Sequence, residues 1–172
     1  MRESGQLVCG YQPLLSGAER EAWTGFLFVH AALTRALDDD LRANHGLAYN
    51  AFELLALLAL APGRRLRMAE LAELLVFTRS GITRLIERLE RQGYVERREC
   101  SDDARGVNAI LTEQGFLLFE QAARTHVARL RELFFGRLEQ LSLVELNELW
   151  QRLQPQGCSA RERLLELASG QA

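Results

Sequence analysis

Residues 68–112 read MAELAELLVFTRSGITRLIERLERQGYVERRECSDDARGVNAILT, and the order of local signals in this stretch decides the fold. A short helical segment comes first, with apolar Leu71, Leu74 and Leu75. Val76-Phe77-Thr78 breaks it, and Thr78 is placed as the N-cap of a second helix, where a threonine hydroxyl accepts from an otherwise orphaned backbone N–H. In that helix Ile82, Leu85, Ile86 and Leu89 fall at helical spacing and predict a buried face, while Arg79, Ser80, Thr83, Arg84 and Arg88 fall on the other side. Gly93 suits the left-handed position just past a helix end. Two extended runs, around 94–98 and 107–111, flank the polar tip 100–106 and predict a β-hairpin.

Helix, turn, helix and hairpin in this order define a winged helix-turn-helix. The sequence therefore predicts a mainly α fold with a small β-hairpin wing, flanked by long helices suited to dimerisation. The exposed face of the second helix carries the donors that a DNA major groove requires. Ser80, Thr83 and Arg84 suit base edges; Arg79 and Arg88 suit phosphates, and Arg98 on the hairpin joins this set. Arg105 at the hairpin tip is placed for a narrow minor groove, with Asp103 two residues away to orient it.

The run Arg79-Ser-Gly-Ile-Thr-Arg-Leu-Ile-Glu-Arg-Leu-Glu90, the segment Gly93-Tyr-Val-Glu-Arg-Arg98 and the tip pattern Asp103-x-Arg105 resemble the MarR family of transcription regulators (the multiple-antibiotic-resistance regulators). The resemblance extends from about Ala22 to Leu153. It implies a two-fold dimer with interlocked terminal helices, two winged domains for two half-sites, repression as the default, and a small, often aromatic, anion as effector. It also makes Asp103 and Arg105 the family's wing element. Ala104 departs from the pattern, which often has a basic residue there.

Outward from the core stretch, residues 1–15 lack periodicity and read as a loose arm. Ser16 and Glu19 form a capping box that opens a helix to about Asn44, with a stripe of Trp23, Phe26, Leu27, His30, Leu33, Leu37 and Leu41. Asp38-Asp39-Asp40 reads as a solvated face. Gly46 ends this helix, and a second, apolar nearly all round, covers Tyr49 to Leu60 and is expected at the centre. Residues 64–68 are predicted to form a short strand pairing with the wing. After the wing a long helix is expected to about Leu138, with Phe116, Phe119, Ala123, His126, Val127, Leu130, Phe134 and Leu138 in one stripe. Ser142 and Glu145 form a second capping box, with Leu141 and Leu146 as a staple; Pro155-Gln-Gly157 breaks the following helix, and Ser159 to Glu162 caps a last short one. The expected divisions are an arm at 1–15, helices for core and dimerisation at 16–60, the DNA-binding domain at 61–112 and dimerisation helices at 113–172.

With 172 residues and 48% hydrophobic residues the chain can bury a core, and it has no run of membrane-span length and no signal-peptide pattern. A soluble cytoplasmic protein is expected. The net charge is −2, yet residues 64–106 hold ten arginines against eight acids, and there is no lysine anywhere. So modest a bias requires placed arginines rather than bulk charge to meet nucleic acid.

His30 and His126 lie on apolar stripes, and two readings stand: hydrogen-bonded core or interface histidines, or an effector pocket with Trp23, Tyr49 and Phe52. Cys9, Cys100 and Cys158 are odd in number and far apart, without a CxxC, so neither a disulfide framework nor a zinc ribbon is indicated. Redox sensing through Cys9 is an alternative without a neighbouring cation in sequence to support it. No metal-spaced cluster, cofactor motif, nucleophile elbow or P-loop is present, so neither a cofactor nor catalysis is expected. A helical interaction protein without DNA binding is the remaining rival, and it gives no reason for the Asp103–Arg105 tip.

Overall fold

The computed structural model describes residues 14–75, 77–100, 103–138, 142–153, 162–163 and 166–167, with residues 100 and 103–105 described by their backbone alone. Six α-helices and three strands are described: α1 Gly17–His45, α2 Tyr49–Leu60, β1 Arg65–Arg67, α3 Met68–Leu74, α4 Arg79–Arg91, β2 Val95–Cys100, β3 Asp103–Leu111, α5 Glu113–Leu133 and α6 Leu143–Leu153. The fold is the mainly helical winged helix-turn-helix expected from the sequence. The chain divides into two compact units, one ending at Ala36 and one beginning at Leu37.

In the first unit the capping box forms as read. Ser16 N donates to Glu19 Oε2 at 2.8 Å, and Glu19 N donates to Ser16 Oγ at 3.2 Å. Trp23, Phe26 and His30 stack in succession, with ring centroids 5.7 and 6.2 Å apart. Trp23, Phe26, Leu27, Phe28 and Val29 are all exposed.

In the second unit α2 is the centre. Ala51, Phe52, Leu54, Leu55, Leu57 and Leu58 are buried on it, so its lack of a polar face is explained by packing on more than one side. Around it stand Leu41 of α1, Leu66 of β1, Leu71 of α3, Ile82, Ile86 and Leu89 of α4, Val95 and Ala109 of the sheet, and Ala122 of α5. The sheet order is β1-β3-β2, antiparallel, with Leu66 opposite Ala109 and Arg97 opposite Ala109 on the other side. The short strand expected at 64–68 is therefore present and does pair with the wing.

Two expectations are corrected. The Asp38–Asp40 run is not a solvated face: only Asp39 is exposed. Asp38 Oδ1 accepts from Tyr49 N at 2.7 Å, which satisfies an orphan donor at the start of α2, where Ala48 supplies no side-chain cap. The helix after the wing ends at Leu133, not near Leu138; Phe134 leaves helical geometry at φ −120° and a 3-10 turn covers Phe135–Arg137. Gly136, a poor helix former beside two aromatics, is the local cause. On α5 the fully buried positions are Gly115 and Ala122, while the expected stripe is half-buried or, at Val127, exposed.

The second capping box forms with one change. Ser142 N donates to Glu145 Oε2, but Ser142 Oγ accepts from Val144 N. Its staple residue Leu141, the break at 155–157 and the cap at Ser159 lie outside the described residues. Further on, Leu167 is buried at 1% exposure in the core, and Arg163 Nε donates to Glu70 Oε1 of α3 at 2.8 Å. Arg163 and Leu167 are thus tied to α3 and to the core.

Candidate nucleic-acid interface

α4 is bounded by two local devices. Thr78 Oγ1 accepts from Gly81 N at 3.1 Å, as its N-cap role requires. At the other end Gly93, at φ +77°, sends its N–H to Glu90 O and Tyr94 sends its N–H to Leu89 O, the paired bonds of a Schellman closure. Between them Ile82, Leu85, Ile86 and Leu89 are buried.

The opposite face presents the sequence-predicted residues together. Arg79, Ser80, Arg84 and Arg88 are exposed and Thr83 is half-buried. Thr83 Oγ1 donates back to Arg79 O at 2.9 Å, which leaves its lone pairs as acceptors. Arg84 Nε donates to Ser80 O at 3.3 Å, a bond that does not use the two terminal guanidinium nitrogens. Arg98 on β2 is 68% exposed at its side chain and pairs with Glu96 at 2.8 Å. The side chains of Asp103 and Arg105 lie outside what is described; their backbone forms the start of β3.

A pair that the sequence reading missed joins helix to wing. Arg97 Nε and Nη2 reach Glu90 Oε2 at 2.8 and 2.7 Å. The guanidinium holds the Glu90 carboxyl below its ordinary range, and Glu90 in turn raises Arg97. Seven residues separate the two, about 10 Å along a helix and on opposite faces of a strand, so neither periodicity signals a direct pair.

The five residues read as an effector pocket divide. Tyr49, Phe52 and His126 meet in the second unit: the His126 ring lies 4.5 Å from Phe52 and 5.9 Å from Tyr49, and Phe119 stacks on Phe52 at 5.8 Å. Trp23 and His30 belong to the first unit. Sequence reading also missed a set of buried, unpartnered polar atoms. His126 Nδ1, Asp40 Oδ2, Asn50 Oδ1 and Arg129 Nε are buried atoms with no hydrogen-bond partner. Asp40 was hidden in a run that looked solvated, and Arg129 is visible only as the residue one turn beyond His126.

Burial pushes the Tyr49 hydroxyl up to about 12, with the Glu53 charge adding to it. Burial also raises Glu53, against a hydrogen bond from Tyr49 that lowers it. His126 is held below its ordinary value by burial, partly opposed by the Asp40 charge. A depressed histidine favours the neutral ring in the folded state. Its contribution to stability is present above the unfolded value of about 6.5 and is lost as pH falls through that value towards the folded one. The melting temperature should therefore drop on acidification from about pH 7.5 to 5.5, and drop less in His126→Asn. Equal drops in both proteins would place the titration elsewhere.

Among the described residues no group of three or more His, Cys, Asp or Glu is placed to hold a metal, and no helix is long and apolar enough to cross a membrane. Cys9 and Cys158, and the side chain of Cys100, lie outside the described residues.

The fold and the arginine-bearing helix define a winged helix-turn-helix protein. The sequence profile of the MarR family matches residues 45–106. The transcriptional repressor YetL of Bacillus subtilis is 32% identical over 114 residues, which cover 64% of this chain and 68% of YetL. PapX, a transcriptional regulator of Escherichia coli, is 29% identical over 90 residues, 52% of this chain and 55% of PapX. The chain thus spans about half the length of PapX and about two thirds of YetL. Among solved structures, Sco3205 of Streptomyces coelicolor, a MarR-family regulator in complex with DNA, is 35% identical with a TM-score of 0.78, covering 83% of this chain and 92% of that one. AbsC, from the same organism and family, is also 35% identical, with a TM-score of 0.75 over 82% of this chain and 93% of its own. The chain belongs to the MarR family of transcription regulators.

Proposed function

We propose that this regulator is a sequence-specific repressor that binds a near-palindromic duplex as a homodimer and is released by a small organic ligand. The observation that carries the reading is the outward face of α4: Arg79, Ser80, Arg84 and Arg88 exposed around Thr83, on a helix capped at both ends and packed by its other side. Such a helix enters a major groove with base-edge donors already aligned, and Arg84 offers the fork that suits the two acceptors of guanine. The DNA complex of Sco3205 and the repressor name of YetL support the same reading.

The decisive measurement is selection of duplexes from a random-sequence library, followed by affinity measurement on the selected duplex. Arg84→Ala should cost about 1–3 kcal/mol and relax base preference locally, with the melting temperature unchanged. Unaltered affinity and preference would remove α4 from the groove. Failure of the wild type to enrich any duplex would favour the helical interaction protein instead.

Exposed apolar side chains support the dimer. Phe28 is 74% exposed in the first unit, and Val144 and Leu153 of α6 are 65% and 63% exposed. Surfaces of this kind mark association sites. Light scattering at micromolar concentration should give twice the chain mass; a monomer there would sink the dimer.

The Tyr49–Phe52–His126 cluster, with the unpartnered Nδ1 of His126 and the Asp40 charge acting on it, supports the ligand. Aromatic rings suit a small aromatic ligand; an acid group on it would take Arg129 Nε as its donor, since the unpartnered Asp40 and Asn50 oxygens only accept. The ligand acts only through a difference in its affinity for the two conformations. Release from DNA by peroxide, abolished in Cys9→Ser, would replace this with redox sensing.

A further inference from the structure

We propose that Arg97 is a positioning residue for DNA recognition: it sets the angle of the wing on the recognition helix by gripping Glu90, and does not itself bind DNA. This rests on the DNA-binding reading above. The chain passes from α4 to β2 through Gln92, Gly93 and Tyr94, with Gly93 at φ +77°, so the backbone link is a single tight turn. Across that turn Glu90 takes three bonds from one residue: Arg97 N at 3.3 Å to Oε1, and Arg97 Nε and Nη2 at 2.8 and 2.7 Å to Oε2. The remaining guanidinium nitrogen, Nη1, lies 3.7 Å from Glu87, one turn earlier on α4. The fork is thus turned onto two carboxylates of the recognition helix.

Arg98 is the internal comparison. Successive strand residues point to opposite faces, so Arg98 is aimed away from the face that Arg97 uses. Its side chain is 68% exposed against 36% for Arg97, and its ion pair is to Glu96 of its own strand. Two adjacent arginines of identical chemistry therefore have different tasks: Arg98 stays at the surface with a partner on its own strand, and Arg97 is committed to α4.

The consequence is mechanical. From Arg97 the strand runs three residues further to Cys100, about 10 Å, so a swing of about 10° at the base displaces its far end by about 2 Å, enough to break hydrogen bonds made there. The helix in the major groove and the wing beside it must meet one duplex at once, and the pair holds their separation. An ion pair this exposed contributes little to folding, so its effect should be read in binding and not in melting.

The test compares wild type, Arg97→Met, Glu90→Gln and the double variant on a duplex selected by the wild type from a random-sequence library. Each single variant should weaken binding by up to about fivefold, the double should be no weaker than the worse single, and the melting temperatures should agree. The slope of log affinity against log salt should stay unchanged, because no phosphate contact is lost. Two results would overturn the proposal. One is that Arg97→Met weakens binding with a slope shallower by about one, while Glu90→Gln binds as well as or better than wild type; Arg97 would then grip a phosphate. The other is that neither single variant moves affinity. If the wild type selects no duplex at all, the DNA-binding reading itself fails, and this inference with it.

Discussion

Gly115→Ala should destabilise the protein by about 3 kcal/mol, in spite of alanine being the better helix former by about 1 kcal/mol. Gly115 lies in the first turn of α5, where that helix leaves the wing. Its N–H donates to Thr112 Oγ1 at 3.0 Å, and Thr112 Oγ1 donates to Gly93 O at 2.7 Å. Thr112 N donates to Tyr94 O at 3.1 Å. The start of α5 is therefore laced to the turn that closes α4. A methyl group on Gly115 would stand 2.2 Å from Tyr94 O and 2.9 Å from Leu111 Cδ1. Leu111 can give way; a backbone oxygen that already holds Thr112 cannot move without undoing the lacing. The steric cost exceeds the propensity gain, and for a chain of this size the melting temperature should fall by about 10 °C. Melting within about 2 °C of wild type would mean that α5 is not seated against the wing as described.

Ile86→Ala should cost about 2–5 kcal/mol, because it deletes buried methyl groups and leaves a cavity where the core meets the recognition helix. Ile86 is completely buried, as is Leu89 one turn on. Arg84, two residues earlier on the same helix, is exposed. Urea unfolding should show a lowered midpoint for Ile86→Ala with an unchanged slope, and no shift for Arg84→Ala. At a temperature where the variant is still folded, DNA affinity should fall far less for Ile86→Ala than for Arg84→Ala. A wild-type midpoint for Ile86→Ala would show that this face of α4 is not packed. Loss of stability in Arg84→Ala would show that the two faces are not separate in their tasks.

The features legible in the sequence are those made by residues three or four apart. The Ser16–Glu19 box, the Thr78 cap, the left-handed Gly93 and the buried stripe of α4 all depend on helical periodicity and on hydrogen bonds inside one turn. The outward face of α4 follows from its inward face, so this part of the interface could be read directly.

What only the tertiary structure decided depends on contacts between distant residues. Asp38 looked solvated because its partner, Tyr49 N, lies across the turn between α1 and α2. His126 and Phe52 meet only because α5 packs on α2, and the unpartnered His126 Nδ1 follows from that burial. Gly115 is a poor helix residue until Tyr94 O is placed against it. Arg97 and Arg98 are indistinguishable in sequence and differ because the strand packs one face on α4. Arg163 reaches Glu70 across 93 residues. The physical reason is the same in each case: a local pattern specifies which face of an element is apolar, while the task of a polar side chain is set by whichever element chain folding brings against it.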